Sequence, residues 1–246
     1  MATIIPYLKT SLSQRGLSSF IAASDESWYD LAITTWVGLG SSVQSQVTRI
    51  NVHGYQYGGG RRDVLWTLAN AAKKRLWLSE YGEGDGSGAQ LFSNLLLDLV
   101  WLHPTAWVYW QAIDIPGWGL IGGDNDQLTL SGASTKYFVL AQFTRHIRPG
   151  MQILTTLDGN TAAAYDASSQ KLVIVAGNWN TSQPSLSTLT QPRLLAAMDQ
   201  QFLDGVLKQE VEISIRAIRI SRSITDSFLY LSPLDRCRRL RLAALY

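Results

Sequence analysis

Glu80 follows Leu76-Trp77-Leu78-Ser79, a short apolar run that predicts a buried β-strand. A carboxylate standing at the end of such a strand can attack an anomeric carbon and form a glycosyl ester. It can equally cap a helix or pair with a base in the acidic loop that follows. Glu83 and Asp85 lie further along that Gly-rich loop and read as solvated or loop-structuring groups. His53 and Tyr55 close another apolar run that begins at Ile50. Either could hydrogen-bond the Glu80 carboxylate and keep it ionised and aimed, although His53 also fits a satisfied core histidine. Asp25 and Glu26 follow Phe20-Ile21-Ala22-Ala23 and could bind sugar hydroxyls or cap the next helix. A full capping box is not supported, because the position three residues after Asp25 is Trp28. Trp110 ends a fourth run and could stack beneath a sugar ring or sit in the core. Gln111, Asp114 and Trp118 come after it.

These four groups need elements that bring them to one place. The runs at Phe20, Ile50, Leu76 and Ala106 read as strands, and their starts are 26 to 30 residues apart. Between them lie helical patterns: one through Trp28, Leu31, Ala32 and Trp36, one over about Arg61–Lys74, and one over about Ala89–His103. A further helix is expected near Thr135–Arg145 after a long loop, and Ile4, Ile5, Tyr7, Leu8 and Leu12 read as the helix of a preceding unit. Strand–helix repeats of this length imply parallel strands with right-handed crossovers. Four such units do not close a barrel, whereas eight do. The alternative is a small open doubly wound sheet, against which stands the lack of a Gly-rich phosphate loop at the first strand–helix turn. In a (β/α)8 barrel the catalytic groups sit at the C-terminal ends of the strands, which is where carboxylates, aromatics and amides recur here.

Composition narrows the class. Of 246 residues 46% are hydrophobic and 16% charged, enough to bury a sizeable core. No apolar run reaches the roughly 18 residues of a membrane helix, and the N-terminus lacks a basic head followed by an apolar block, so no signal peptide is read in it. Cys237 is the single cysteine, which excludes an internal disulfide and a cysteine-based metal cage. His53, His103 and His146 are widely spaced and form no ligand motif. No metal and no cofactor is expected. Eight of nine tryptophans fall between Trp28 and Trp118, an aromatic density suited to a core or to a cleft that holds sugar faces. The net charge of +2 comes from the tail: residues 1–210 carry 14 basic against 16 acidic groups, and residues 211–246 carry seven against three. A nucleic-acid partner is not expected of the body.

Several motifs together, in order, resemble glycoside hydrolase family 30, with the fungal endo-β-1,6-galactanases nearest. They are Ile21-Ala22-Ala23-Ser24-Asp25-Glu26, Asn51-Val52-His53-Gly54-Tyr55, Trp77-Leu78-Ser79-Glu80-Tyr81-Gly82 and the stretch from Lys136 to Gly150. The resemblance spans about residues 2–180. It implies an α/β fold, a partial (β/α)8 TIM barrel holding strands five to eight, followed by part of a β-sandwich. On it Glu80 matches the nucleophile at the end of strand seven, and Asp25, His53, Tyr55, Tyr81, Trp110 and Trp118 are substrate-binding candidates. The acid/base glutamate of that family belongs to strand four, and no residue here matches it. The resemblance further implies a β-linked polysaccharide or oligosaccharide as partner, a monomer, a secreted protein, and no membrane partner.

The domain reading is then the C-terminal half of a barrel over 1–145, the start of a sandwich over 146–182, and an aberrant tail over 183–246. After Pro149 the segments Gln152–Leu157, Thr161–Tyr165 and Lys171–Gly177 read as short strands separated by turns at Asp158–Asn160 and Asp166–Ser169. In the tail Leu194–Val206 is weakly helical, Val211–Ile220 alternates Ile with Arg, and Arg236–Arg241 is basic, which reads as a translation artefact, a solvated end, or a nucleic-acid or membrane patch. The expectation is a retaining glycosidase by family whose 246-residue chain is inactive or truncated. The other readings are a non-catalytic carbohydrate-binding remnant and an incomplete gene model.

Overall fold

A computed structural model describes residues 1–124, 126–156, 159–178 and 212–219. The chain forms two compact units, Met1–Glu83 with Leu97–Ala112, and Gly84–Leu96 with Ile113–Tyr246.

The first unit runs α1 (Ile4–Gln14), β1 (Ala22–Glu26), α2 (Tyr29–Gln44), β2 (Arg49–His53), α3 (Arg62–Ala71), β3 (Arg75–Tyr81), a π-helical turn (Asp98–Leu102) and β4 (Ala106–Tyr109). The strands make one sheet in the order β1-β2-β3-β4, parallel throughout. The alternation of β2 and β3 sends Ile50, Val52, Leu76 and Leu78 to one buried face. Helices α2 and α3 pack on the sheet, α2 through Tyr29, Ala32, Trp36 and Leu39 and α3 through Leu65 and Ala69, spacings that follow the helical period. The other sheet face carries half-buried Asn51, Trp77 and Ser79, with the Arg49 guanidinium 3.4 Å from the Trp77 ring centre.

A doubly wound sheet reverses its strand order at a switch point and covers both faces with helices, so both faces are apolar. Here the order never reverses among the four strands, and one face is polar and aromatic. The open doubly wound alternative is therefore set aside.

Register slips where the strands end, between Ser24 and Glu26, between Val52 and His53, and between Leu78 and Tyr81. A bulge inserts a residue and re-aims the side chains beyond it. The extra residues lie on β1 and β3, so these two strands, one on each side of β2, change side-chain direction at the same, carboxyl, end of the sheet.

Two element boundaries differ from the sequence reading. The first strand starts at Ala22, and Phe20 is 85% exposed, so hydrophobicity alone misplaced it. Asp25 and Glu26 consequently lie within the strand. The helix expected over Ala89–His103 is α4 (Ala89–Leu97) followed by the wider π turn. That turn brings Asp98 inward, and His103 closes it in a left-handed conformation at φ 50° just before Pro104.

The second unit holds a three-stranded sheet inside the expected long loop, in the order β5 (Ile113–Asp114), β6 (Ile121–Asp124) and β7 (Thr129–Ala133). Helix α5 (Thr135–Thr144) comes next, near the expected position. Then β8 (Gln152–Leu154), β9 (Thr161–Asp166) and β10 (Lys171–Asn178) form an antiparallel set, and β11 (Glu212–Arg219) adds to β10 in parallel. Phe92 and Phe143 meet at 5.8 Å in its core. A Cβ at Gly177 would come within 2.1 Å of the Phe92 ring, so the strand passes that ring only as glycine. The readings of Leu194–Val206 and Arg236–Arg241 lie outside the described residues. Among the described residues no helix is long and apolar enough to cross a membrane, and no side-chain group could hold a metal ion.

Candidate active site

The slipped strand ends bring four of the candidate residues together. His53 on β2 pairs with Glu80 on β3 in the ladder. The Tyr55 hydroxyl donates to Glu80 Oε1 at 2.8 Å. His53 lies between two carboxylates, with Nδ1 3.5 Å from Glu80 Oε1 and Nε2 3.4 Å from Asp25 Oδ1. Ser79 Oγ donates to Asp25 Oδ1 at 2.5 Å. The side chains of His53, Glu80 and Asp25 are 18%, 28% and 54% exposed, so Glu80 is enclosed enough to be held and open enough to be reached.

Burial, and then the hydrogen bond to Glu80, push the Tyr55 phenol above its ordinary range. Tyr55 therefore stays a proton donor at any ordinary pH. Its backbone is fixed too: Gly54 N–H donates to Glu80 O at 2.8 Å, and Tyr55 N–H to Ser27 O at 3.2 Å. The segment between Gly54 and Arg62 is clamped from both sides. Asp30 accepts from Gln56 Nε2 and from Arg61 N–H, at 2.5 and 2.9 Å. The turn closes at Gly60, whose φ of +81° favours glycine.

The other clamp is a buried ion pair. Arg62 Nε donates to Asp98 Oδ1 at 2.7 Å, while Nη1 donates to Gly59 O at 2.7 Å and Nη2 to the carbonyl of Tyr57. Tyr29 OH and Trp107 Nε1 also donate to Asp98, at 2.8 and 2.9 Å. Burial drives the Asp98 carboxyl above its ordinary range, opposed by Arg62 and by the Trp107 and Tyr29 donors. One network thus joins α2, α3, the π turn, β4 and the segment that carries Tyr55.

The remaining candidates fare differently. Trp110, just past β4, is 44% exposed, and its N–H donates to Tyr81 O at 2.7 Å. Tyr81 is fully buried among Tyr57, Trp107 and Tyr109. The reading of Tyr81 as a sugar-binding side chain is corrected: the slip after Leu78 turns it inward. Burial pushes its phenol above the ordinary range. Trp118 belongs to the other unit, where its indole lies against Gly84, 3.3 Å from where a Cβ would stand. No side-chain cap forms at the start of α2, and Glu26 instead accepts from Thr35 Oγ1 at 2.7 Å, in the body of that helix. Asp98 went unnoticed in the sequence. Its signal was an acid alone in the apolar run Leu95–Leu102, where only a partner makes a charge tolerable.

No family model matches the chain. Among solved structures, a conserved exported protein from Bacteroides fragilis aligns at TM-score 0.55 and 13% identity, over 66% of this chain and 45% of its own. That likeness shows the fold. A family 30 endoxylanase from Clostridium papyrosolvens aligns at TM-score 0.46 and 18% identity, over 60% of this chain and 38% of its own. By sequence, an endo-β-1,6-galactanase from Hypocrea rufa is 69% identical over 193 residues, 78% of this chain and 40% of the relative. Over that stretch the chain is closely similar to the galactanase. The resemblance to the endo-β-1,6-galactanases read from its motifs stands. The chain spans about 40% of the length of the curated relative it matches.

Proposed function

We propose that the whole protein is a retaining glycosidase acting on a β-linked galactan, with Glu80 as its nucleophile. The observation that carries this is the Glu80 carboxylate, held by the Tyr55 hydroxyl at 2.8 Å at the carboxyl end of a parallel strand. The four-stranded sheet is then strands five to eight of a (β/α)8 barrel, with the barrel half over 1–145 and a β-sandwich beginning over 146–182. The polar and aromatic sheet face is the barrel's interior.

The chemistry follows from the geometry. The sugar's C1 approaches the Glu80 oxygen, the carboxylate forms an ester, and the leaving oxygen departs with the bonding pair and a proton. Water then attacks C1 and the carboxylate leaves. Both steps need a second carboxyl about 5–5.5 Å from the first, as acid and then as base. The residues of this chain do not supply it in this reading. Tyr55 and His53 hold Glu80, and Trp110 offers a ring face to the sugar. The family resemblance gives Trp118 the same role. The relative's name supplies the substrate class, and its secreted family the extracellular location. The protein works as a monomer on polysaccharide, without nucleic acid or membrane.

The test is covalent capture. A 2-deoxy-2-fluoro-β-galactoside with a dinitrophenolate leaving group needs no proton donor to form the ester. Intact-mass and peptide mass spectrometry are expected to find one sugar on Glu80 and none on Glu80→Gln, with circular dichroism unchanged. Labelling of another residue, or equal labelling of both chains, overturns the assignment.

A second reading, a sugar-binding remnant without catalysis, is favoured by exposed aromatics at the strand ends, Trp110 at 44% and Tyr57 at 40% exposure. Titration calorimetry with galacto-oligosaccharides decides it, since a lack of heat above background removes it.

A further inference from the structure

We infer that Arg62 is a positioning residue: through the carbonyls of Tyr57 and Gly59 it sets the turn that aims the Tyr55 hydroxyl at Glu80. The inference rests on the Glu80 reading for its effect on the reaction, and on geometry alone for the positioning.

A buried ion pair is weak evidence for stability, because an apolar pair of similar volume often replaces it without loss. Arg62 does more than neutralise Asp98. Its guanidinium is a planar fork with donors in fixed directions, which a lysine ammonium lacks. Nε donates to Asp98 Oδ1 and Nη1 to Gly59 O, both at 2.7 Å. Nη2 reaches the Tyr57 carbonyl and, at 3.0 Å, the Tyr29 hydroxyl. Arg62 Cζ stands 4.1 Å from the centre of the Tyr29 ring. Tyr29 and Trp107 in turn hold Asp98. One side of the fork is thus fixed by α2, the π turn and β4, and the other grips two carbonyls of one short turn.

That turn needs holding. Tyr57 lies in the left-handed region at φ 51°, which a tyrosine adopts only where its surroundings impose it. Its N–H donates to Gly54 O at 3.0 Å, and its carbonyl accepts from Arg62. Gly54 N–H donates to Glu80 O at 2.8 Å. Tyr55 lies between these anchors, edge-on to the Tyr57 ring at 6.4 Å. The path from the fork to the carboxylate runs Arg62, Tyr57, Tyr55, Glu80, all within one compact unit.

Stability and position then come apart. Replacing both charged partners by apolar groups removes the two buried charges together, yet leaves no fork for the Tyr57 and Gly59 carbonyls.

The experiment compares the full chain with Arg62→Met/Asp98→Leu and with Arg62→Lys, which keeps the charge and loses the fork. Urea unfolding reports stability. Amide hydrogen exchange at Tyr55, Tyr57 and Gly59 is expected to quicken by about tenfold or more in both variants, with the amides of β2 and β3 unchanged. Capture of the fluorinated galactoside is expected to slow by about tenfold, as for Tyr55→Phe, even where the double substitution recovers stability. On a Tyr55→Phe background the same substitutions are expected to slow it no further, since they act through the lost hydroxyl. Unchanged exchange at these amides in a folded variant overturns the inference. So does capture at the unaltered rate, or a further loss on the Tyr55→Phe background. If the double variant does not fold, Arg62→Lys carries the same comparisons. If the unaltered chain captures no sugar, the nucleophile reading falls, and the exchange rates alone decide this one.

Discussion

A carboxylate attacks carbon only while it is ionised and still, and in the proposed mechanism the Tyr55 hydroxyl, 2.8 Å from Glu80 Oε1, serves both needs. A hydrogen bond to a charged group contributes about 1.5–3 kcal/mol, and its loss disfavours the ionised form. Tyr55→Phe is therefore expected to slow covalent capture at Glu80 by about tenfold or more, with the fold retained. Rates of labelling in the two chains at one pH measure it, and equal rates would remove Tyr55 from the site. Much of this was legible in the sequence. Residue type named Glu80, His53, Tyr55 and Asp25, because a strand end followed by polar residues marks where side chains emerge. What was not legible was direction. Tyr81 adjoins Glu80 in sequence, yet the slip after Leu78 buries it, and the approach of Asp25 Oδ1 to within 3.4 Å of His53 is set by strand pairing. A bulge is set by how strands pair, and pairing is not written in the spacing of one strand.

At the scale of elements, the segment that carries Tyr55 is only as rigid as its clamps. Removing one partner of a buried ion pair leaves an uncompensated charge and costs about 3–5 kcal/mol. Arg62→Met is expected to destabilise the chain by about that much in urea, while adding Asp98→Leu recovers a large part of the loss. A double variant no more stable than Arg62→Met alone would mean that the pair is not what holds these elements. The turn between β9 and β10 gives a second, pH-linked case. Asp166 accepts from Ser168 and Ser169, through both backbone N–H and hydroxyl groups, and these bonds hold its carboxyl down at about 2. Its stabilisation is complete above the ordinary carboxylate range and is lost as pH falls through about 2. The melting temperature of Asp166→Asn is expected to fall less steeply over acid pH than that of the unaltered chain. Helical and strand periods gave these elements nearly in place. They failed where burial and structure part company, at exposed Phe20 and at the π turn that begins with buried Asp98.

For the molecule as a whole, the question is what four strands can do. A galactan's leaving group is a sugar alkoxide, which departs only with a proton, and in this reading the donor is not among the residues here. A dinitrophenolate leaves unaided. The two substrates thus separate the nucleophile's work from the acid's. The chain by itself is expected to capture the activated galactoside and to release no reducing sugar from β-1,6-galactan above background. Joined to the segment of a galactanase that precedes the matched region, it is expected to hydrolyse the polymer, and Glu80→Gln in that joined protein to abolish turnover. Hydrolysis of β-1,6-galactan by the unjoined chain at ordinary glycosidase rates would show that a second carboxyl of its own, with Asp25 the first to examine, completes the pair. The assignment of acid and base would then move into these strands, and Asp25→Asn would separate an acid from a support, since loss of polymer hydrolysis with capture intact belongs only to an acid.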